Sequence, residues 1–408
     1  MAFYENVILG GGLVAGYAAQ AFIEEGLQPN QLCIISAESK LPYERPPLSK
    51  AFLAGDETGD EILINDPEFY EQNGIKVMLE TVVGRVDLDR KTLYTSEDEP
   101  IRYEKLLIAT GTRARRLDIS GADRETVYYL REVQDARQIR SAQRDAEKAV
   151  VLGGSFIGME VTSVLRQYAL ETHMVFPESR VWELFFTPEM SQFFQDYYEE
   201  RGVQIWPGEK PTAFEGNGQL NRVELESGRS LPADMVVAGV GVLPNTELFE
   251  NSDLVIDDGI VVNRFLETDV PDVYAAGDVA RYEDVLFNKQ RRIEHWDNAR
   301  AQGLHAARAM MGQREVFRYV PYFFSDVFDL SYEFWGDTSE ANHIVYRGNP
   351  ETTSFSVWWL KDDRLHGAFV MDRPDEERER AQEWIAEGTP IVNADALADE
   401  DRPLASAV

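Results

Sequence analysis

Two stretches of the chain repeat one pattern of apolar and polar positions. In the first, an apolar run at 7–9 enters a glycine cluster at 10–12, and small and apolar residues follow at helical spacing. In the second, an apolar run at 149–152 enters a Gly-Gly-Ser turn at 153–155, again followed by a helical pattern. Each stretch predicts a buried strand, a tight turn and a helix. We therefore expect an α/β protein with two Rossmann-like nucleotide-binding units.

The first glycine turn has the residue types that a dinucleotide site requires. Gly10 permits the sharp turn, Gly12 lets the backbone approach a pyrophosphate, and Ala15 lets the helix pack closely on the strand. The helix N-terminus adds N–H donors and the positive end of the helix dipole. Glu38 follows the next apolar strand, at 32–35, where an acid accepts a hydrogen bond from a ribose hydroxyl.

The second glycine turn carries Gly153, Ser155 and Gly158 at the same spacing, with serine in place of the middle glycine. Serine is small, and its hydroxyl can donate a hydrogen bond to a phosphate. Glu178 follows the apolar strand at 172–176, which favours a ribose 2′-hydroxyl over a 2′-phosphate and therefore NADH over NADPH. Two such turns in one chain predict two bound dinucleotides.

Other stretches supply further candidate contacts. Two apolar runs, at 106–108 and 273–275, end in turns of small residues. The turn residues are Ala109, Thr110, Gly111, Gly277 and Asp278. The carboxylate of Asp278 would accept hydrogen bonds from the hydroxyls of a ribityl-like chain. The proline-rich loop 41–50 places two cations, Arg45 and Lys50, close to the first glycine turn.

The chain changes character from about residue 319. Strand-like runs there predict an antiparallel sheet, at 344–347, 354–360 and 365–371. The charged stretch 376–386 predicts a helix, and the acidic tail 395–408 is expected to be frayed.

Composition narrows the function further. The formal net charge of −32 disfavours nucleic acids and anionic membranes as partners. No run of about 18 apolar residues occurs, and the first strand begins almost at once, so we expect no membrane span, no targeting peptide and a cytoplasmic location. Cys33 is the only cysteine, which excludes an internal disulfide and a cysteine-rich metal site, and no metal is predicted. Because Cys33 lies in an apolar strand, we interpret it as a core residue.

These motifs resemble the FAD-dependent pyridine nucleotide reductases over nearly the whole chain. The branch that they resemble holds ferredoxin and rubredoxin reductases, apoptosis-inducing factor and monodehydroascorbate reductase. The stretches that carry the resemblance are 10–12, 42–50, 109–111, 153–160, 244–245, 276–278 and 294–296. Stretches closest to plant-type monodehydroascorbate reductase are 174–178, 291–295, 321–323, 328–331 and 335–337.

The resemblance implies three domains, two of them Rossmann-like nucleotide-binding domains of the glutathione-reductase type. A discontinuous FAD-binding domain comprises 1–117 and 245–318, and an NAD-binding domain comprises 118–244. A smaller α+β domain with an antiparallel sheet, at 319–408, would cover the flavin.

The resemblance also implies the cofactor contacts, with FAD and NAD as the cofactors. The implied FAD contacts are Gly12, Glu38, Arg45, Lys50, Ala109 and Asp278, with Trp296 at the flavin edge. The implied NADH contacts are Gly153, Ile157, Glu160 and Glu178. The remaining predicted cofactor contacts are Gly10, Ala15, Val83, Thr110, Gly111, Arg131, Gly277, His295, Ser155, Phe156, Gly158 and Gly241.

Lys50 and Glu160 match a pair that lies near the reactive nitrogen of the flavin in this family. A cation there would stabilise the negative charge that hydride transfer creates, and Glu160 would keep Lys50 charged and oriented. Disulfide reductases of this superfamily need a cysteine pair, which this chain lacks. We therefore expect an NADH-dependent reductase that delivers electrons singly to an acceptor.

Two acceptors are compatible with the resemblance. The leading interpretation is a ferredoxin- or rubredoxin-type protein, because Phe324 replaces a functional tyrosine of the plant-type enzymes. A patch formed by Arg291, Arg292 and Arg300 could dock an acidic carrier. The alternative is an organic radical such as monodehydroascorbate, or a quinone, because Arg300 matches an arginine that plant-type enzymes use for their anionic substrate. A third interpretation is a redox sensor, similar to apoptosis-inducing factor, that acts through partners.

Overall fold

The computed structural model describes residues 2–408. The strands β1 to β25 are Ala2–Leu9, Leu32–Ile35, Lys76–Met78, Val83–Asp87, Thr92–Thr95, Pro100–Ile108, Thr112–Ala114, Val127–Tyr129, Lys148–Leu152, Glu171–Phe176, Val203–Pro207, Pro211–Glu215, Arg222–Leu225, Ser230–Pro232, Met235–Ala238, Val242–Pro244, Ile260–Val262, Val273–Ala275, Ala280–Asp284, Lys289–Arg291, Tyr322–Val327, Leu330–Gly336, His343–Gly348, Phe355–Lys361 and Arg364–Met371. The helices α1 to α9 are Leu13–Glu24, Ala51–Ala54, Pro67–Gln72, Val133–Ala142, Phe156–Gln167, Pro188–Glu200, Trp296–Met310, Asp375–Glu387 and Ala394–Ala398. Short 3₁₀ helices lie at Pro46–Ser49, Glu247–Phe249 and Leu404–Ser406.

One compact unit comprises residues 2–45, Gly59–Arg113 and Val242–Pro321. Its seven-stranded sheet has the order β3-β2-β1-β6-β5-β4, and β18 also pairs with β6. The pairings of β1 with β2 and β6 are parallel, and the paired segments 7–9, 32–35 and 106–108 are apolar and buried, as expected of strands covered on both faces. Helix α1 packs against α7. Cys33 is fully buried in β2, and burial raises the pKa of its thiol to about 12, which confirms that it is a core residue rather than a reactive thiol.

The second compact unit comprises Pro46–Thr58, Ala114–Gly241 and Tyr322–Val408. It contains a parallel sheet of order β11-β10-β9-β15-β8, a three-stranded sheet β12-β13-β14, and an antiparallel sheet of order β21-β22-β25-β24-β23. Aromatic side chains such as Trp182, Phe194, Phe323 and Tyr332 form a shared core between α6 and the antiparallel sheet. Helix α5 contacts β21, so the start of the antiparallel sheet lies against the helix that follows the second glycine turn.

The predicted fold class is confirmed, because both glycine turns connect a parallel strand to a helix and the last part of the chain forms an antiparallel sheet. The three predicted C-terminal strands correspond to β23, β24 and β25. The sequence did not predict β21 and β22, whose aromatic residues form the first hairpin of this sheet. The predicted three-domain division stays a prediction. No helix among residues 2–408 is both long enough and apolar enough to cross a membrane.

The expectation of a frayed C-terminal tail is wrong. The tail forms α9 and a 3₁₀ turn, and Ala407 is buried. Buried Arg347 holds it, because the guanidinium donates to backbone carbonyls of Leu397, Asp399 and Arg402 at 3.1, 2.5 and 2.9 Å. The Nε of Arg347 also donates to buried Glu377 at 3.1 Å, which balances the arginine charge.

Candidate active site

The first glycine turn is built from residues without side chains. Gly10 has a φ of +125°, and a Cβ there would lie 2.1 Å from the carbonyl oxygen of Ala109. Gly12 is the N-cap of α1, and a Cβ added to it would meet only the Arg45 guanidinium, at 3.7 Å. A glycine cap supplies no side-chain acceptor for the first N–H groups of α1. The turn therefore fits the pyrophosphate of a dinucleotide.

The second glycine turn has the same construction. Gly153 has a φ of +127°, and a Cβ there would lie 2.5 Å from the carbonyl oxygen of Gly239. A Cβ at Gly158 would lie 2.0 Å from the carbonyl oxygen of Gly153, so α5 packs directly on the turn. Ser155 is the N-cap of α5, and in the described chain its exposed hydroxyl makes no capping hydrogen bond. This turn also fits a dinucleotide, because the serine that replaces the middle glycine does not block the turn.

Glu38 lies at the end of the strand next to the first turn, as predicted. Its carboxylate accepts hydrogen bonds from the Tyr43 hydroxyl at 2.5 Å and from the Arg45 guanidinium at 2.6 Å. The structure thus brings Glu38, Arg45 and Gly12 together.

Several other predicted residues of this unit lie on the turns that follow β6 and β18. Asp278 accepts a hydrogen bond from Thr112 at 3.0 Å, and the Gly277 N–H donates to Gln302 at 2.7 Å. His295 is the N-cap of α7. Thr110 donates to the backbone carbonyl of Asn245 at 2.8 Å, and Val83 begins β4.

Glu44 is a residue that sequence reasoning missed. The Tyr17 hydroxyl and the Trp296 indole N–H both donate to its carboxylate, so Glu44 fixes the indole that was predicted at the flavin edge. Burial, together with the Glu44 hydrogen bond, raises the pKa of Tyr17. The only signal in the sequence was the position of Glu44 inside the loop 42–50.

Lys50 and Glu160 form a buried ion pair, with Nζ 3.0 Å from Oε1. Glu160 is only 4% exposed and also accepts hydrogen bonds from the Ser49 hydroxyl and, at 2.7 Å, from the Ser325 hydroxyl. The Phe324 ring lies over the Lys50 ammonium, with Nζ 4.3 Å from the ring centroid. The structure therefore joins three predicted residues and adds two serines that the sequence did not indicate.

The predicted basic patch is largely neutralised by acids of the same unit. Arg291 is paired with buried Asp284 at 2.6 Å, and Arg292 is paired with Glu294 at 2.6 Å and with Asp258 at 3.2 Å. Arg300 is paired with Asp297 at 3.0 Å, although its side chain is 41% exposed. These pairs leave little positive charge for docking an acidic protein.

The remaining predicted contacts lie in the second unit. Phe156 and Ile157 begin α5, and the exposed Glu178 follows β10. Arg131 donates its backbone N–H to Asp135 at 2.9 Å, and the carbonyl of Gly241 accepts from the backbone of Arg115. No group of three or more His, Cys, Asp or Glu side chains in residues 2–408 is placed to hold a metal ion.

Comparison with known proteins agrees with this geometry. Residues 4–303 match the family model described as pyridine nucleotide-disulphide oxidoreductase, and residues 322–408 match the model described as reductase C-terminal. The chain belongs to the pyridine nucleotide-disulphide oxidoreductases. This oxidoreductase is 38% identical to a monodehydroascorbate reductase from Solanum lycopersicum over 99% of both chains.

Solved structures give the same fold. A ferredoxin reductase from Rhodopseudomonas palustris superposes with a TM-score of 0.94 at 29% identity, covering 99% of this chain and 100% of the other. A putidaredoxin reductase, solved in covalent complex with putidaredoxin, superposes with a TM-score of 0.94 at 30% identity and covers 99% of both chains. The oxidoreductase is thus an NAD(P)H-dependent FAD enzyme, and with one cysteine it has no internal redox disulfide.

Proposed function

We propose that this oxidoreductase takes hydride from NADH and delivers electrons singly to a small carrier protein of the ferredoxin or rubredoxin type. The observation that carries the proposal is the buried Lys50–Glu160 pair beneath the Phe324 ring, in a chain with one cysteine. FAD, when bound, accepts the hydride and releases its electrons one at a time.

The chain's own residues have distinct proposed roles. The first glycine turn, Glu38 and Asp278 bind FAD, and the second glycine turn with Glu178 binds NADH. Lys50 places a positive charge where negative charge develops, and Glu160 orients that ammonium through the ion pair. The Ser49 and Ser325 hydroxyls donate hydrogen bonds to the Glu160 carboxylate, so these hydrogen bonds do not have to come from water.

Phe324 bears on the choice of acceptor. A phenyl ring excludes water from the Lys50 ammonium but cannot hydrogen-bond an organic substrate, as a tyrosine could. Losing such a hydroxyl from a site that uses it costs about 1–3 kcal/mol. The close structural match to a ferredoxin reductase and to a putidaredoxin reductase also supports a carrier protein.

Monodehydroascorbate is the second candidate acceptor, and two observations favour it. The whole chain aligns at 38% identity with a relative of that name. In addition, the Cζ atom of the partly exposed Arg300 lies 5.9 Å from the centroid of the Trp296 ring and 5.7 Å from that of the Tyr17 ring. The guanidinium could contact a small anion there.

Acceptor assays with the FAD-loaded enzyme test the proposal. NADH oxidation is followed with ferredoxin, with rubredoxin, and with ascorbate radical generated by an oxidase, and ferricyanide serves as the positive control. We expect saturable turnover with a carrier protein. Rapid turnover with the radical and none with either carrier would instead assign the second candidate. Slow turnover on every acceptor would favour a redox sensor.

The variant Phe324→Tyr sharpens this assay. It restores the hydroxyl while keeping a ring over Lys50, so we expect radical reduction to rise severalfold and carrier reduction to stay unchanged. If radical reduction does not rise, the surrounding residues are not arranged for that substrate.

A further inference from the structure

The segment after β10 contains a set of anion-binding donors whose ligand is a side chain of the protein. The Glu183 carboxylate accepts from the Ser179 backbone N–H at 3.1 Å and from the Ser179 hydroxyl at 2.7 Å. The Arg180 guanidinium donates to the same carboxylate at 3.1 Å and to the Glu183 carbonyl at 3.3 Å. A backbone N–H, a hydroxyl and a guanidinium are the groups that bind phosphate oxygens in proteins.

This segment lies directly beside the second glycine turn. The Gly153 N–H donates to the carbonyl of Val175 in β10, and the Trp182 N–H donates to the carbonyl of Gly154, both at 2.9 Å. The donors therefore follow Glu178, the residue proposed to accept from the ribose of NADH. In dinucleotide-binding folds, an arginine at this place accommodates the 2′-phosphate of NADPH.

We propose that Glu183 is a specificity-determining residue: its carboxylate occupies a site for the adenosine 2′-phosphate of NADPH and thereby enforces the use of NADH. The inference rests on the proposed binding of NADH at the second glycine turn. Hydrogen bonds from Ser179 lower the pKa of Glu183, so the carboxylate stays charged and keeps Arg180 occupied at neutral pH.

Removing the carboxylate frees the whole donor set. In Glu183→Ala, the Ser179 groups and Arg180 become available to an external anion, while Glu178 and Glu189 remain near them. We expect kcat/KM for NADPH to rise about tenfold relative to that for NADH. Adding Glu178→Ala should raise the ratio further, because a second carboxylate no longer repels the 2′-phosphate.

The exposed ion pair Arg222–Glu224 on the three-stranded sheet provides a matched control. Glu224 accepts from Arg222 at 2.6 Å and from the Ser230 hydroxyl at 2.9 Å, so Glu224→Ala removes the same charge and the same types of partner away from the glycine turn. We expect no change in coenzyme preference there. In the double variant Glu183→Ala/Arg180→Gln, the gain for NADPH should disappear.

Binding to the FAD-loaded protein gives a readout that is independent of turnover. Calorimetry with 2′-phospho-ADP-ribose and with ADP-ribose should show tighter binding of the phosphorylated ligand only in Glu183→Ala. Suppose that both variants are folded and oxidise NADH, but that Glu183→Ala and Glu224→Ala show the same preference between the phosphorylated and the unphosphorylated ligand. That result would overturn this inference and leave the proposed function intact. A wild-type enzyme that oxidises no nicotinamide coenzyme would instead overturn the proposed function.

Discussion

Glu160 is a buried carboxylate held by three donors from two distant parts of the chain. Lys50 and Ser49 belong to the loop before α2, whereas Ser325 belongs to β21. Two phenols, Tyr198 and Tyr332, also face it, and burial raises the pKa of both, so they stay neutral. Lys50 therefore provides the positive charge opposite the carboxylate, and the serines orient it.

The variant Ser325→Ala tests this arrangement. It removes one hydrogen bond to a buried charge, so we expect slower NADH-driven flavin reduction and a loss of about 1–3 kcal/mol in the free energy of unfolding. Rapid mixing with NADH across a range of pH measures the first effect, and denaturant titration measures the second.

Ser356→Ala is the control, since that buried hydroxyl accepts from the Trp358 indole at 2.9 Å, in β24. Ser356→Ala should lower the free energy of unfolding without slowing flavin reduction. If Ser325→Ala behaves in the same way, with an unchanged pH profile for flavin reduction, the hydroxyl has only a structural role.

Sequence motifs could identify Lys50 and Glu160, because each lies in a stretch that resembles a known family. Phe324 could be identified because it directly follows such a stretch and replaces a tyrosine of the plant-type enzymes. The motifs could not identify Ser325 or Glu44 as partners, because those contacts join residues more than 100 positions apart. The motifs also suggested a basic patch, whereas the acids that neutralise Arg291 and Arg292 became evident only from the folded chain.

At the scale of elements, the C-terminal sheet and its tail depend on one buried arginine. Arg347 lies on β23 and joins Glu377 of α8 to the backbone of the last residues. Arg373 pairs with the same Glu377 carboxylate at 3.0 Å.

Replacing Arg347 by methionine should loosen the tail and destabilise the protein. The change leaves Glu377 with less charge compensation and removes the donor of four backbone carbonyls, those of Leu397, Asp399, Glu400 and Arg402. We therefore expect a loss of about 3–5 kcal/mol in the free energy of unfolding. Limited proteolysis followed by mass spectrometry should show cleavage after residue 390 first.

The control is Arg380→Met on the outer face of α8, where the Glu383 partner is exposed. Its stability should match that of the wild type. An unchanged melting curve and an intact tail in Arg347→Met would contradict the role given to the arginine.

The buried parallel strands could be predicted from their apolar runs, and α1 and α5 from the helical pattern that follows each glycine turn. The tail could not, because its polar composition is typical of disorder and its order comes from Arg347, about 50 residues earlier. The hairpin β21–β22 was missed because β21 begins with three consecutive aromatic residues, at 322–324, although β22 alternates apolar and polar residues at 330–334.

At the scale of the whole molecule, the net charge of −32 sets the response to salt. Like charges repel in the compact state, and added ions screen that repulsion. We expect the melting temperature to rise by several degrees between low salt and 1 M NaCl. Most of the rise should come at low concentration, because the screening length falls to about 3 Å at 1 M. A flat or falling curve would show that charge repulsion does not limit stability.

We propose that electrons enter the enzyme as a pair from NADH and leave it one at a time. The most direct measurement is the stoichiometry of the FAD-loaded enzyme under anaerobic conditions, with limiting NADH and excess oxidised ferredoxin. We expect two ferredoxin molecules to be reduced for each NADH oxidised. The rate should saturate with ferredoxin concentration and should fall steeply in the Lys50→Met variant. NADH oxidation without ferredoxin reduction, or an unchanged rate in Lys50→Met, would contradict it.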